Sequence, residues 1–213
     1  VLLAFDTATP LVTVALCDDD GTVVAEAISE RPMKHGEQLA PLIAAVLDDA
    51  GLVRQDLTAI AVGVGPGPFT GLRVGLVTAR TLGFVLEIPV YGVCTLDVLA
   101  IEAVDTGTVS GPFLVATDAR RKEVYWAAYS ADGERLDGPH VARPADVVTE
   151  RPVVGEGSTL YPDDFLVSAS PHRPSAGWLA RVVHGERAEL LDPEPLYLRR
   201  PDAALPGQPK RVS

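Results

Sequence analysis

Residues 62–83 read Val-Gly-Val-Gly-Pro-Gly-Pro-Phe-Thr-Gly-Leu-Arg-Val-Gly-Leu-Val-Thr-Ala-Arg-Thr-Leu-Gly. A short apolar strand runs into a Gly-Pro turn, and a helix over 70–86 follows. Gly71, Gly75, Ala79 and Gly83 recur every fourth residue and stay on one side of that helix. A helical glycine costs roughly 1 kcal/mol relative to alanine, so three at this spacing need a compensating gain. The gain is close approach of another backbone. That backbone belongs either to a second helix or partner chain, or to the protein's own sheet, and the spacing leaves both open.

Upstream of this stretch, Leu2–Thr7, Leu11–Cys17 and Thr22–Ser29 read as three strands, with Asp18-Asp-Asp-Gly21 turning between the last two. Leu39, Leu42, Ile43, Val46 and Leu47 form one apolar helical face, and Gly51 follows as its stop. Pro41 lies inside that pattern. The helix therefore begins near Ala40, or begins near His35 and kinks. Thr58–Val64 and Ile88–Val93 read as further strands, and Thr95–Val104 as a helix with Thr95 as its N-cap. The Gly/Ser/Thr-rich break Asp105–Pro112 divides an N-terminal lobe, 1–105, from a smaller C-terminal lobe, 106–213. Beyond it lie short helical stretches near 143–149 and 175–184. The tail from Asp192 carries five prolines. It is expected to be extended, with disorder in its last ten residues.

After the break the opening motif returns. Asp6 and Asp118, Val12 and Val124, Ala15 and Ala127, and Asp20-Gly21 and Asp132-Gly133 share one offset of 112 residues. A strand–Asp–turn–strand–Asp-Gly–strand unit used twice points to a duplicated half.

The chain's 213 residues suffice for one large domain or two lobes sharing a core. Charged residues are 22% and hydrophobic ones 47%, a soluble globular balance. A formal net charge of −11 argues against unaided binding to a phosphate backbone, which rests on Lys and Arg. Cys17 and Cys94 are 77 residues apart with no metal-ligand spacing, which suits reduced, buried, slowly reacting thiols in a cytoplasmic protein. No apolar run approaches the roughly 20 residues that span a bilayer, so no membrane partner is expected. Nothing at the start of the chain as given resembles a signal peptide.

The run Gly65-Pro-Gly-Pro-Phe-Thr-Gly-Leu-Arg-Val-Gly75 resembles the signature of the bacterial TsaB family, non-catalytic relatives of the TsaD/Kae1 enzymes. The likeness extends to Phe5-Asp6-Thr7-Ala8-Thr9, to His35-Gly-Glu-Gln-Leu-Ala-Pro-Leu-Ile, to Asp118-Ala-Arg-Arg-Lys-Glu-Val-Tyr and to Pro195-Leu-Tyr-Leu-Arg. It implies the two-lobe α/β fold of the actin-like ATPases (the ASKHA group, ribonuclease H-like), with duplicated lobes and the second reduced. It also implies a role beside TsaD and TsaE in forming threonylcarbamoyl-adenosine next to the tRNA anticodon. tRNA would be met only through that complex, and the isolated chain would form a homodimer. Bound ATP and metal would belong to TsaD and TsaE, and this chain would hold no cofactor.

TsaD-like enzymes hold a metal with two histidines four apart on a helix; here His35 is followed at that spacing by Leu39, which has no lone pair to offer. His35 caps the helix or enters an interface, and the sequence does not choose. The first turn, Asp6-Thr7-Ala8-Thr9-Pro10, lacks the glycine of a phosphate cradle, and Pro10 removes a donor. Asp6 and Thr7 are at most a vestigial phosphate turn, and holding the turn itself is the favoured role. Gly155-Glu-Gly157-Ser158 is a weak adenosine-loop candidate beside a simple turn. No G-x-S-x-G stretch and no basic flank on either cysteine marks a nucleophile. The expectation is a partner subunit, with a small ATPase, kinase or glycoprotease-like metallopeptidase as the alternative and a self-associating scaffold as a third class. The expected partner interface comprises His35, Leu39, Leu42, Ile43 and Val46 of one helix. Gly71, Arg73, Val74, Gly75, Thr78, Ala79, Leu82 and Gly83 of the next complete it. On that reading Gly75→Leu weakens association and leaves the fold intact.

Overall fold

The computed structural model describes residues 1–199. The expected disorder of the last ten residues lies outside the described residues. Strands β1 (Leu2–Asp6), β2 (Thr13–Cys17), β3 (Val23–Ile28), β4 (Ala59–Gly65) and β5 (Val90–Cys94) form one sheet in the order β3-β2-β1-β4-β5. Strands β6 (Phe113–Asp118), β7 (Val124–Tyr129), β8 (Arg135–Ala142), β9 (Val153–Val154) and β10 (Ser168–Ala169) form another, β8-β7-β6-β9-β10. The two orders are the same. In each, the first strand runs antiparallel to the second and parallel to the fourth. The architecture is that of the two-lobe actin-like proteins, with the second copy reduced.

The repeat is legible down to its turns. Gly21 and Gly133 both take left-handed φ, 81° and 84°. Asp18 Oδ1 accepts the backbone N–H groups of Asp20 and Thr22, and Ser130 Oγ accepts those of Asp132 and Glu134. The common offset breaks at the first strand. Asp6 pairs with Thr13, whereas Asp118 pairs with Val124, so the second hairpin is one residue tighter. A one-residue slip turns a strand over. Ala4 accordingly packs towards the core between the halves, and Ala116 packs on the opposite face with Val147 and Phe165.

Among the described residues five α-helices cover the sheets: α1 (His35–Asp49), α2 (Phe69–Leu86), α3 (Thr95–Asp105), α4 (Gly157–Leu160) and α5 (Ala176–His184). α1 and α2 bury Leu39, Ile43, Val46, Leu72 and Leu76 against Leu3, Phe5, Val14, Ile60 and Val62 of the first sheet. α3 spans the two sheets: Val98 and Ile101 meet the first, Leu96, Leu99 and Ala103 the second. α5 comes from the second half of the chain yet packs on the first sheet, against Ala4, Ala15 and Cys17. Ser175 caps it, its hydroxyl accepting Trp178 N–H.

Of the two starts left open for α1, the structure takes His35, which places Pro41 in the second turn. One local reading is corrected. Thr95 is not the cap of α3: Cys94 holds that position, and the Thr95 hydroxyl reaches across the sheet to donate to Asp6 Oδ2 at 2.7 Å. The statement about apolar runs also changes. α2 is 18 residues long with mean hydropathy 1.3, enough by length and composition to cross a bilayer, and 33% of it is buried in the fold. A helix packed on a core passes the same test.

Candidate functional site

The first turn is closed from above by α2. Asp6 and Thr7 are 1% and 0% exposed. The Asp6 carboxylate accepts Ala8 N–H at 2.6 Å and the Thr95 hydroxyl at 2.7 Å. Burial, the largest influence on it, pushes its carboxyl above the ordinary aspartate value, against the pull of those two bonds and of His35. The Thr7 hydroxyl donates to Gly71 O at 2.9 Å. Glycines make this closeness possible. A Cβ on Gly67 would stand 2.4 Å from Ala8 O, one on Gly71 2.5 Å from Thr7 O, and one on Gly75 2.3 Å from Thr7 Oγ1. Backbone and the Thr7 side chain fill the space between this turn and α2, so nothing can be seated between them. His35 is 4% exposed and its Nε2–H donates to Thr9 O at 2.7 Å, which ties the start of α1 to the same turn. Among the described residues no cluster of three or more His, Cys, Asp or Glu side chains is placed to hold a metal.

The expected interface therefore divides. Gly71, Gly75, Ala79 and Gly83 face the protein's own turn and sheet, with Gly83 against Val90 and Ile88. The small-residue stripe is not a bare surface, and Gly75→Leu strikes Thr7 before it meets any partner. Leu39, Ile43 and Val46 are core residues, as is His35. What remains accessible is the flank where α1 meets α2: half-buried Leu42, Val74, Thr78 and Leu82, with exposed Arg73. Exposed Val77, Phe84 and Val85 extend it, and the reading of the glycine stripe passed over them. Their signal was present as apolar residues off the stripe on a helix already rich in them.

A second polar group was also missed. Asp97, in the first turn of α3, accepts the Tyr129 hydroxyl at 2.7 Å and lies 3.7 Å from the Arg135 guanidinium. It borders a cavity of about 470 Å³ whose other walls include Asp132, Glu134, Arg187 and Glu189. Burial raises its carboxyl above the usual range despite those partners. Nearby Cys94 is fully buried, and burial together with Asp97 pushes its thiol up to about 12; Cys17 is raised chiefly by burial, then by Asp18. The Gly155–Ser158 loop serves as a turn on β6: Gly155 takes φ 99°, and a Cβ there would stand 2.3 Å from Ala116 O. The tail crosses between the halves. Leu191 pairs with Gly92, Leu196 N–H donates to Val64 O, Tyr197 stacks on Phe69 at 4.9 Å, and Arg199 donates to Ala119 O at 2.7 Å.

Residues 22–159 match the family model described as TsaD, tRNA N6-adenosine threonylcarbamoyltransferase. An uncharacterized protein of Mycobacterium tuberculosis is 45% identical over 95% of this chain and 93% of its own length. The tRNA threonylcarbamoyladenosine biosynthesis protein TsaB of Escherichia coli is 37% identical over 97% of this chain and 99% of its own length. Among solved structures, YeaZ from Pseudomonas aeruginosa superposes with a TM-score of 0.77 at 29% identity, covering 92% of this chain and 99% of that one.

Proposed function

The chain belongs to the TsaB family, and we propose that it serves the formation of threonylcarbamoyl-adenosine in tRNA as a non-catalytic partner of TsaD, with TsaE joining the pair. The observation that carries the non-catalytic reading is the first turn. Where an actin-like ATPase would seat phosphate, Thr7 and the α2 glycines are in contact and the Asp6 carboxylate is engaged by Ala8 and Thr95. ATP and metal chemistry then belongs to the partners.

The proposed contact surface for TsaD, and for a second copy in the isolated chain, is the α1–α2 flank of Leu42, Arg73, Val74, Thr78 and Leu82, extended by Val77 and Val85. Half-buried and exposed apolar side chains there gain roughly 25 cal/mol for each Å² removed from water on docking. Co-purification with TsaD of the same organism is the test. The wild-type pair is expected to elute together, and Val77→Asp, at a side chain 62% exposed, to weaken it about tenfold or more with an unchanged melting curve. Steady-state ATP turnover by the pure chain near the common enzyme range of about 1–10³ per second overturns the non-catalytic reading.

A further inference from the structure

Residues 191–199 leave the first half, run along α2 and end on the second half. Leu191 and Gly92 exchange both backbone hydrogen bonds at 2.8 Å, which pairs the segment with the edge of β5. Gly92 is shaped for that passage: a Cβ there would stand 2.8 Å from Asp192 O and 3.0 Å from Leu191 O. Glu194 meets Arg80 of α2 at 2.7 Å. Leu196 N–H donates to Val64 O at 2.9 Å, and the Leu196 side chain packs both on the layer under α1 and α2 and on the layer between α3 and the second sheet. Tyr197 stacks on Phe69, its hydroxyl accepts Arg73 Nε–H at 3.3 Å, and the Arg73 guanidinium lies 3.7 Å from the centre of the Phe69 ring. Arg199 then donates to Ala119 O at 2.7 Å and pairs with Glu123. Those two residues close the β6–β7 hairpin, Ala119 N–H donating to Glu123 O at 2.9 Å.

Both ends of the segment are poised. Between Ala119 and Glu123, Arg120, Arg121 and Lys122 hold left-handed φ of 61°, 57° and 61°, an unfavourable region for such side chains. Strain of this kind persists where the surroundings over-determine it, and Arg199 grips the residues on either side of it. At the other end the ties are exposed. Arg80 and Glu194 are 57% and 65% exposed, and exposed pairs contribute little singly. A stretch with Pro193 and Pro195 and no helix stays in place against chain entropy only while its ties act together, and such stretches open as contiguous units. Arg73 and Arg80 stand one turn either side of exposed Val77. Whatever covers Val77 therefore excludes water from the ties to Tyr197 and Glu194, and a lower local dielectric strengthens them.

We infer that residues 191–199 are a clamp coupling the α2 face to the β6–β7 hairpin: docking on α2 closes the clamp, which rests on the function proposed above, and the closed clamp holds the hairpin tip, which does not. Hydrogen exchange of the chain alone tests the clamp. Tyr197→Ala, a change at the α2 end, is expected to speed exchange of the Ala119 N–H about two- to tenfold. Glu123→Gln, at the hairpin end, is expected to speed exchange of the Leu196 and Gly92 N–H groups by a similar factor. Arg80→Ala takes the place of Tyr197→Ala if that variant does not fold. Exchange that changes only at the mutated end overturns the clamp. The docking step is read on the chain co-purified with TsaD. There, Leu196 and Ala119 exchange should slow together in the wild type, and in Glu123→Gln Leu196 should slow while Ala119 does not. Slowing of Ala119 that persists in Glu123→Gln means that TsaD covers the hairpin directly, and it overturns the coupling. If Val77→Asp leaves the TsaD pair intact, the α2 docking face is wrong and the docking step falls with it, a result distinct from loss of the end-to-end effect in the chain alone.

Discussion

The two halves share a strand order and differ in what covers their outer faces. In the first half, α1 and α2 lie on the sheet and bury a continuous apolar layer from Leu3 and Phe5 to Leu76 and Ala79. In the second half, the corresponding face carries Leu114, Ala116, Ala128 and Val153 under Val147, Phe165 and irregular chain, with a helix of only four residues nearby. A groove of about 810 Å³ lies open there, lined by Trp126, Leu136 and Val148 among others. The sheet order survives because backbone pairing specifies it. Between the halves, α3 and α5 bury the inner face of the first sheet, and α3 that of the second. Close packing is concentrated in the first half, and most of the conformational strain at non-glycine residues sits in the second: Arg120, Arg121, Lys122 and Glu186, against Met33 and Glu87.

Bulk added at one site in each half tests that contrast most severely. Gly75→Leu places its Cβ 2.3 Å from Thr7 Oγ1, and is expected to cost about 3 kcal/mol or more. Val148→Leu, at a side chain 92% exposed in the second half, should stay within about 0.5 kcal/mol. Denaturant melts of the two variants read the difference directly, and equal costs break the comparison. The paired aspartates come next. Asp6→Ala strands the Ala8 N–H and the Thr95 hydroxyl in the core, for about 2–4 kcal/mol. Asp118→Ala, at the end of β6 where the carboxylate accepts Arg120 N–H, should lose about 1 kcal/mol, and a larger loss there would show that the hairpin tip depends on it.

The seam between the halves titrates. Glu102 of α3 has a buried Oε2 without a hydrogen-bond partner, and burial first, then Glu26 of β3, pushes its carboxyl up to about 7 against Arg181 of α5. A folded-state value above the ordinary 4.5 means that stability is full below 4.5 and is lost as pH rises to about 7. Discounted for solvent screening, the loss is about 1–2 kcal/mol. Melting temperatures should fall across that window in the wild type and much less in Glu102→Gln; parallel profiles would remove Glu102 from the account. The smallest effect concerns the thiols. Cys17 and Cys94 are both buried with raised thiol values, so a bulky reagent should label neither before unfolding, and rapid native labelling contradicts the packing described.

Local pattern carried much of this fold. The three-strand opening, the α1 face and the 112-residue repeat are all in apolar spacing and turn residues, which act over a few positions. What escaped was settled at long range. The glycine stripe has the same sequence whether it meets a partner or Thr7, and only the path of β1 decides between them. Thr95 reads as a cap until Asp6, 89 positions away, arrives beside it. The slip of β6 depends on one residue fewer in a hairpin, a difference that an offset drawn through Asp118 conceals. Strands β9 and β10 are two residues each, too short for any periodicity to mark.

The seating of α5 on the first sheet has a consequence for synthesis. Ala4, Ala15 and Cys17 are made early, but the helix that covers them is not complete until His184. Roughly 80 residues separate the end of α3 from that point. At about 5–20 residues per second, the emerging chain carries an uncovered apolar sheet face for about 4–16 s. The first five strands therefore do not make a self-sufficient nascent domain. A ribosome stalled in that interval would hold a species fit for chaperones, and a gene cut at the break after α3 would produce fragments that need each other to stay in solution.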